Sequence, residues 1–158
     1  MTKEKIQDAI YTRRYVYNFH YHLIWATKYR HQTFSTKELA DEMKDILRMV
    51  AKDNEIVIEK MEVMPDHVHV LISFPPSKAP TSAIKALKGR SAFIFLKRHP
   101  EIRQSQYWGG HLWSSSYYMS TLGNMSEDVV ENYNIFAKNS FARSVLGALK
   151  KSFGLPFS

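Results

Sequence analysis

The sequence predicts an α+β fold, in which an antiparallel sheet carries helices on one face. Aromatic and β-branched runs alternate along the chain with segments whose apolar residues recur every three or four positions. The order of these segments is strand, helix, strand, strand, helix, strand, helix. Only Pro65-Asp66 separates the second and third strands, which favours an antiparallel hairpin. No internal repeat is present, and 158 residues predict a single domain.

The first strand is expected at 15–26, where aromatic and β-branched side chains dominate. A basic arm, residues 1–14, precedes it, and we expect one short helical turn there. After the strand, Lys28, Tyr29 and Arg30 combine cations with an aromatic ring in a loop. Because cations contact phosphates and rings stack on unpaired bases, this loop is a candidate surface for single-stranded nucleic acid. An exposed turn without a ligand would have a similar composition.

The first helix is expected to begin after Ser35 or Thr36, either of which can cap it, and to end near Asn54. Its apolar residues repeat at three- and four-residue spacing with charges between them, which is typical of a helix that packs one face on a core. The next segment, 56–64, alternates apolar and charged residues and predicts the second strand. The third strand starts at His67 and should pair with it.

The second half of the chain contains the remaining predicted elements. Prolines stiffen a loop at 74–80, and an amphipathic helix with a basic face follows at 82–98. The glycine pair at 109–110 predicts a turn into an aromatic fourth strand at about 112–122. Ser126 is a good N-cap for a last helix, because the acidic residues that follow it suit the positive end of a helix dipole.

The most informative short pattern is His67-Val68-His69, within the third strand. Side chains alternate faces along a strand, so both imidazoles should project outward from one face while Val68, Val70 and Ile72 are buried on the other. Two neutral imidazoles in this arrangement can share one divalent cation. The alternative is that the two rings are half-exposed on the sheet and make ordinary hydrogen bonds.

Composition limits the classes of function. The net charge of +7 favours an anionic partner such as nucleic acid. The chain has no cysteine, which excludes disulfides, thiolate metal sites and cysteine nucleophiles. No early segment resembles a signal peptide, and no apolar run approaches the ~20 residues that span a bilayer. We therefore expect a soluble, cytoplasmic protein.

Phosphate chemistry at a metal on the sheet would also need a nucleophile. A tyrosine hydroxyl can form covalent intermediates, but the chain has nine tyrosines and composition does not choose among them. Tyr133 lies with Val129 and Phe136 on the apolar stripe of the last predicted helix. That placement is more typical of a core residue than of a catalyst.

Four separated segments of the chain provide a more specific signal, within a match that covers roughly residues 15–133. They are Tyr21-His22-Leu23-Ile24-Trp25 with Lys28-Tyr29-Arg30; Met61-Glu62-Val63-Met64-Pro65-Asp66-His67-Val68-His69; Ala86-Leu87-Lys88-Gly89; and Trp108-Gly109-Gly110 with Leu112-Trp113 and Ser116-Tyr117. In these motifs and in their order the chain resembles the single-tyrosine HUH transposases of the insertion-sequence 200/605 group.

The resemblance implies a DNA transposase that cleaves and joins single-stranded DNA at hairpin-bearing transposon ends through a 5′-phosphotyrosine intermediate. By position it implies Tyr133 as the nucleophile, and His67 and His69 as ligands of Mg²⁺ or Mn²⁺. It also implies an RRM-like, ferredoxin-like sheet with a C-terminal helix that carries the tyrosine. The family forms compact homodimers in which the tyrosine and the histidines of one site commonly come from different subunits.

One position departs from the family pattern. The family usually has a glutamine one helical turn after its tyrosine as the third protein ligand, and Ala137 occupies that place here. Because alanine cannot coordinate a metal, the candidates that would complete the site with water are Asn134 and Asp66. The tail, residues 138–158, is apolar and basic, unlike the polar ending expected of relatives. It suggests an altered terminus, such as a frameshift near Tyr133 would produce.

The basic residues of the loop after the first strand and of the second helix are candidates for positioning DNA phosphates. With the aromatic ring between them, the predicted DNA-binding residues are Lys28, Tyr29, Arg30, Lys85, Lys88 and Arg90. Each charge could equally belong to a solvated face.

Two other classes of function remain open from the sequence. The first is a non-catalytic or degenerate module that binds single-stranded nucleic acid on an RRM-like sheet and needs no metal. The second is a protein anchored to a membrane surface by the basic, apolar tail, although such a tail more commonly docks on its own domain or on a dimer partner.

Overall fold

The computed structural model describes residues 9–11, 13, 16–17 and 19–121, and the elements below lie within those ranges. The strands are β1 (Ile10–Tyr11), β2 (Val16–Tyr17), β3 (Tyr21–Ala26), β4 (Val57–Met64), β5 (His67–Ser73) and β6 (Tyr118–Thr121), and the helices are α1 (Lys37–Asp53), α2 (Pro80–Arg98) and α3 (Pro100–Gln106). The last predicted helix and the tail, 138–158, lie outside the described residues.

The main sheet has four strands in the order β4-β5-β3-β6, and each pair of neighbours is antiparallel. With α1 after β3 and α2 after β5, this is the β-α-β-β-α-β arrangement of ferredoxin-like folds. The predicted α+β class and the β4–β5 hairpin are both confirmed. The strand that begins with His67 is therefore internal, with neighbours on both sides.

The hydrophobic core lies between α1, α2 and one face of this sheet. Thr36 caps α1 as predicted, since its hydroxyl accepts a hydrogen bond from the Leu39 amide at 3.3 Å. The buried residues that form this core include Leu23, Trp25, Val68, Val70 and Ile72 from the sheet and Met43, Ile46, Leu47, Ile84, Leu87 and Phe95 from the helices. The helices thus cover one face and leave the other for a different role.

The first predicted strand is wrong in its first half. Val16–Tyr17 pairs with Ile10–Tyr11 in a separate two-stranded ladder, and the main strand begins only at Tyr21. The predicted helical turn of the basic arm is also wrong at Ile10–Tyr11, which is extended, whereas residues 1–8 lie outside the described ranges. The same aromatic and β-branched composition supports both pairings, so it could not locate the break.

The fourth predicted strand is shorter than expected. At its start, Trp113 makes only an isolated bridge to Thr27, and regular pairing with β3 begins at Tyr118. Between them, the Lys88 ammonium donates hydrogen bonds to the carbonyls of Ser114 and Ser116, at 2.7 and 3.2 Å, and holds this segment beside α2. The segment is therefore drawn away from the sheet by a contact that no local pattern encodes.

Two further differences concern helices. The second helix begins at Pro80, two residues before the predicted start, and Pro80 occupies its first turn, where a missing amide hydrogen costs little. The short helix α3, which begins at Pro100, was not predicted.

The glycine turn before the fourth strand is confirmed, and Gly110 has the positive φ of 81° that glycine adopts most easily. No helix of the described residues is long and apolar enough to cross a membrane.

Candidate metal site and nucleic-acid surface

His67 and His69 lie on the same face of β5, as the alternation of a strand predicts. Val68 and Val70 point into the helix-covered core, whereas the two histidines are opposite Ala26 and Ile24 of β3 on the other face. Both imidazoles therefore lie on an internal strand, with His67 at its first residue. A strand with neighbours on each side holds its side chains more rigidly than a loop would.

The expectation that these imidazoles project outward into solvent is wrong. Only 4% of His67 and 0% of His69 is exposed. Burial, helped by the neighbouring His67 and His22 rings, lowers the pKa of His69 to about 3. His69 is consequently a neutral imidazole at physiological pH, which is the form that coordinates a metal ion.

His67 is oriented by the carboxylate that precedes it. Its Nδ1 lies 2.8 Å from Oδ1 of Asp66. An ionised carboxylate only accepts hydrogen bonds, so Nδ1 donates and Nε2 keeps its lone pair. Nε2 is buried and has no hydrogen-bond partner among the described residues. A buried ring nitrogen with a lone pair and an oriented partner fits the coordination of a divalent cation.

Both carboxylate oxygens of Asp66 accept hydrogen bonds. Its other oxygen, Oδ2, accepts hydrogen bonds from Nε and Nη2 of Arg30, at 2.9 and 2.7 Å. Burial acts to raise the pKa of the Asp66 carboxyl, but the hydrogen bonds from His67 and Arg30 outweigh it and lower that pKa below its usual value. The carboxylate is therefore ionised and directed at His67 and Arg30.

A third protein ligand is not found in the part of the chain that the structure describes, where no three histidine, aspartate or glutamate side chains form a metal-binding group. The auxiliary role predicted for Asp66 as a direct ligand gains no support, because both of its oxygens have other partners. Asn134, the other predicted auxiliary ligand, lies outside the described residues, as do Tyr133 and Ala137.

A third imidazole on this face was missed as a site residue. His22 is opposite Leu71, two pairs along from the Ile24–His69 pair, so it is diagonal to His69. Burial lowers the pKa of His22, and the Lys60 ammonium adds to the effect. The signal available in the sequence was its position in the first strand, two residues before Ile24, on the alternation that faces away from Leu23 and Trp25.

The loop after β3 forms a short 3-10 turn, Lys28–Arg30, with a strained backbone. Tyr29 and Arg30 have φ values of 61° and 56°, in the left-handed region. Such conformations cost of order 1–3 kcal/mol per residue and persist only where surrounding contacts enforce them. Here the Thr27 hydroxyl bonds the His31 carbonyl at 2.8 Å, and the Thr27 amide bonds the Asp66 carbonyl at 2.9 Å. The turn is thereby tied to the β4–β5 hairpin.

An aromatic pocket lies beside this turn. It has a volume of about 120 Å³, and its walls include Tyr29, Tyr107, Trp108 and His111. The rings of Tyr29 and Trp108 are 69% and 81% exposed, and the Lys28 ammonium lies 5.2 Å from the centre of the Tyr29 ring. Exposed rings beside cations can stack on unpaired bases. Trp108 was not among the predicted DNA-binding residues, although a tryptophan next to two glycines in a turn signals exposure.

The predicted DNA-binding cations differ in whether they are exposed or already hydrogen-bonded within the protein. Lys85 and Arg90 are exposed on α2. Lys88 is engaged with Ser114 and Ser116, and burial lowers its pKa. Arg30 is bonded to Asp66. Lys28, Lys85 and Arg90 are thus better placed to contact phosphates than Lys88 or Arg30.

Comparisons with known proteins agree with one another. Residues 15–134 match the family model described as "Transposase IS200 like". The ISDra2 transposase TnpA of Deinococcus radiodurans is 45% identical over 121 residues, which are 77% of this chain and 85% of that protein. The transposase for insertion sequence element IS200 of Salmonella typhimurium is 30% identical over 107 residues, which are 68% of this chain and 69% of that protein.

A solved structure is also similar. The crystal structure of a Deinococcus radiodurans protein described as a transposase superimposes with a TM-score of 0.66 and 42% sequence identity. The match covers 78% of this chain and 94% of that one.

Proposed function

The chain belongs to the IS200-like transposase family, and we propose that it cleaves and rejoins single-stranded DNA at two buried histidines and one tyrosine. The observation that carries the proposal is the pairing of His67 and His69 on one sheet face, with Nε2 of His67 buried and directed away from its Asp66 partner. A purely structural histidine would normally use both ring nitrogens.

In the proposed reaction, His67 and His69 would hold a divalent cation, Mg²⁺ or Mn²⁺. Such a cation would supply Lewis-acid polarisation of the phosphate and offset the charge that develops during phosphoryl transfer. The Tyr133 hydroxyl attacks the scissile phosphorus, loses its proton and forms a phosphotyrosine bond to the 5′ end of one strand. The bond from phosphorus to the 3′-oxygen of the neighbouring nucleotide breaks, and that oxygen gains a proton and leaves as a free 3′-hydroxyl. Because the phosphodiester energy is conserved in this bond, the strand can be rejoined without ATP.

The proposed substrate is a single-stranded transposon end that carries a hairpin, and the proposed active form is a homodimer. In that arrangement Tyr133 of one subunit would act with His67 and His69 of its partner. The charge of +7 and the exposed pocket of Tyr29 and Trp108 support an unpaired polyanion as the substrate.

A covalent-adduct assay tests the function. The full chain, mixed with end-labelled hairpin DNA and Mg²⁺ or Mn²⁺, is expected to form a protein–DNA species that survives denaturing electrophoresis. A chelator should prevent it. Salt-sensitive binding without any adduct would contradict the proposal and indicate instead a non-catalytic single-strand-binding module, the alternative that Ala137 raises.

A second measurement concerns the aromatic pocket. Tyr29→Ala is expected to weaken single-stranded DNA binding by about 1–3 kcal/mol, because one stacking ring is lost while the charge is unchanged. Fluorescence anisotropy at fixed ionic strength measures this change. Phe19→Ala is the matched control, since Phe19 is 54% exposed but precedes β3, whereas Tyr29 follows its end. Equal losses in both variants would contradict a specific role for Tyr29.

A further inference from the structure

We propose that Asp66, clamped by Arg30, is a positioning residue that sets the tautomer of His67 and so directs its Nε2 at the metal. The inference rests on the proposed metal site and adds two residues to it. Neither would touch the metal or the DNA in this role. Asp66 would act through His67, and Arg30 would act through Asp66.

The carboxylate of Asp66 contacts the imidazole of His67 directly. Asp66 Oδ1 and His67 Nδ1 are 2.8 Å apart, and the side chains of both residues are largely shielded from solvent. Metal-binding histidines commonly donate their second ring N–H to a carboxylate, which fixes both the tautomer and the plane of the ring. The contact therefore leaves Nε2 as the only ring nitrogen of His67 with a lone pair.

Arg30 clamps this carboxylate. Arg30 places two donors, Nε and Nη2, on the single oxygen Oδ2. The backbone of the hairpin turn is fixed as well, since the Pro65 carbonyl accepts from the Phe34 amide at 3.0 Å and the Asp66 carbonyl accepts from the Thr27 amide at 2.9 Å. The Asp66 side chain consequently has one orientation, in which Oδ1 faces the imidazole.

The left-handed backbone at Tyr29 and Arg30 places the guanidinium of Arg30 against Asp66. Arg30 reaches Asp66 from a residue with φ of 56°, directly after Tyr29 with φ of 61°. Non-glycine residues adopt this region rarely, and such strain is concentrated where a precise geometry is needed. The double hydrogen bond to Asp66 accounts for the strain at Arg30, whereas a phosphate contact alone would require no left-handed backbone.

The clamp makes Asp66→Asn an informative variant. Because Arg30 offers only donors, the asparagine must turn its carbonyl oxygen toward Arg30 and its amide nitrogen toward His67. The amide then donates to Nδ1, and the proton of the imidazole moves to Nε2. The wrong tautomer would present an N–H to the metal, and we expect Mn²⁺ affinity to fall by about 10–100-fold.

Two measurements on the full chain test the proposal. Nitrogen-15 NMR of the metal-free protein reports the tautomer of His67 directly and requires neither metal nor DNA. Titration with Mn²⁺, followed by electron paramagnetic resonance, reports affinity. In the unsubstituted protein the proton is expected on Nδ1, and in Asp66→Asn it is expected on Nε2.

A double variant separates positioning from loss of folding. In Arg30→Met/Asp66→Asn the asparagine can turn back and accept from Nδ1, so part of the Mn²⁺ affinity should return. Asp45→Asn is the control, because Asp45 forms a similar contact with Arg48, at 3.0 Å, on the solvent-exposed side of α1. That variant should leave both the tautomer and the affinity unchanged.

The outcomes distinguish this proposal from the proposed function. An Nδ1–H tautomer that persists in Asp66→Asn would overturn the positioning role even if transposition is observed. So would a double variant that binds Mn²⁺ no better than the single one, when the unsubstituted protein binds Mn²⁺. If the tautomer changes as expected while Mn²⁺ binds neither protein, the positioning role is upheld and the metal site of the proposed function is refuted.

Discussion

Tyr133→Phe is expected to abolish the covalent protein–DNA adduct while leaving single-stranded DNA binding largely intact. The substitution removes only the hydroxyl oxygen, which is the atom that would form the bond to phosphorus, so no phosphotyrosine can be made. The expected effect is complete loss of adduct in a denaturing gel, with DNA affinity within about twofold by fluorescence anisotropy.

Tyr117→Phe is the matched control for that substitution. Tyr117 is exposed and lies beside the Lys88 ammonium, whose contact with the ring does not need the hydroxyl. This variant should form the adduct normally. If the adduct survives in Tyr133→Phe and disappears in another tyrosine variant, the nucleophile assigned from the family resemblance is wrong.

His67→Ala is expected to remove metal-dependent cleavage. The variant loses one of the two proposed ligands, and a divalent cation contributes several kcal/mol of charge stabilisation in phosphoryl transfer. Since 1.36 kcal/mol corresponds to tenfold in rate, the single-turnover cleavage rate at fixed Mg²⁺ should fall by at least about 100-fold. Cleavage that proceeds equally well in chelator would eliminate the role of the metal.

The control for His67→Ala must separate loss of a ligand from loss of a buried side chain. Thermal unfolding of the variant shows whether the sheet remains folded. His99→Gln removes an imidazole at the end of α2, where its partners are Glu42 and Glu101. That variant should retain cleavage, because its contacts lie with the helices and not on the histidine face of the sheet.

Elements with strong local signals were predicted well. Thr36 and the three- and four-residue spacing that follows it located α1 to within about a residue, because the cap and the amphipathic stripe are encoded within the helix itself. The segment at 15–20 was misassigned, since residues of the same type can pair with β5 or, as Val16–Tyr17 does, with a local partner. Strand pairing depends on distant residues, which composition does not report.

The site was predicted only in part. The histidine pair could be found because it is a short pattern on a recognisable strand. The hydrogen bonds between Asp66 and Arg30 could not be predicted, because the two residues are 36 positions apart in the chain and no spacing rule connects them.

The β4–β5 hairpin and the common face of His67 and His69 could be predicted from the sequence, because a two-residue turn and the period of a strand are local properties. The burial of this face and the hydrogen bond that orients the imidazole of His67 depend on the three-dimensional arrangement of the chain. Burial and hydrogen-bond partners depend on which strands and loops are neighbours in the folded chain. The register of β3 against β5 brings Thr27 and Arg30 next to Asp66.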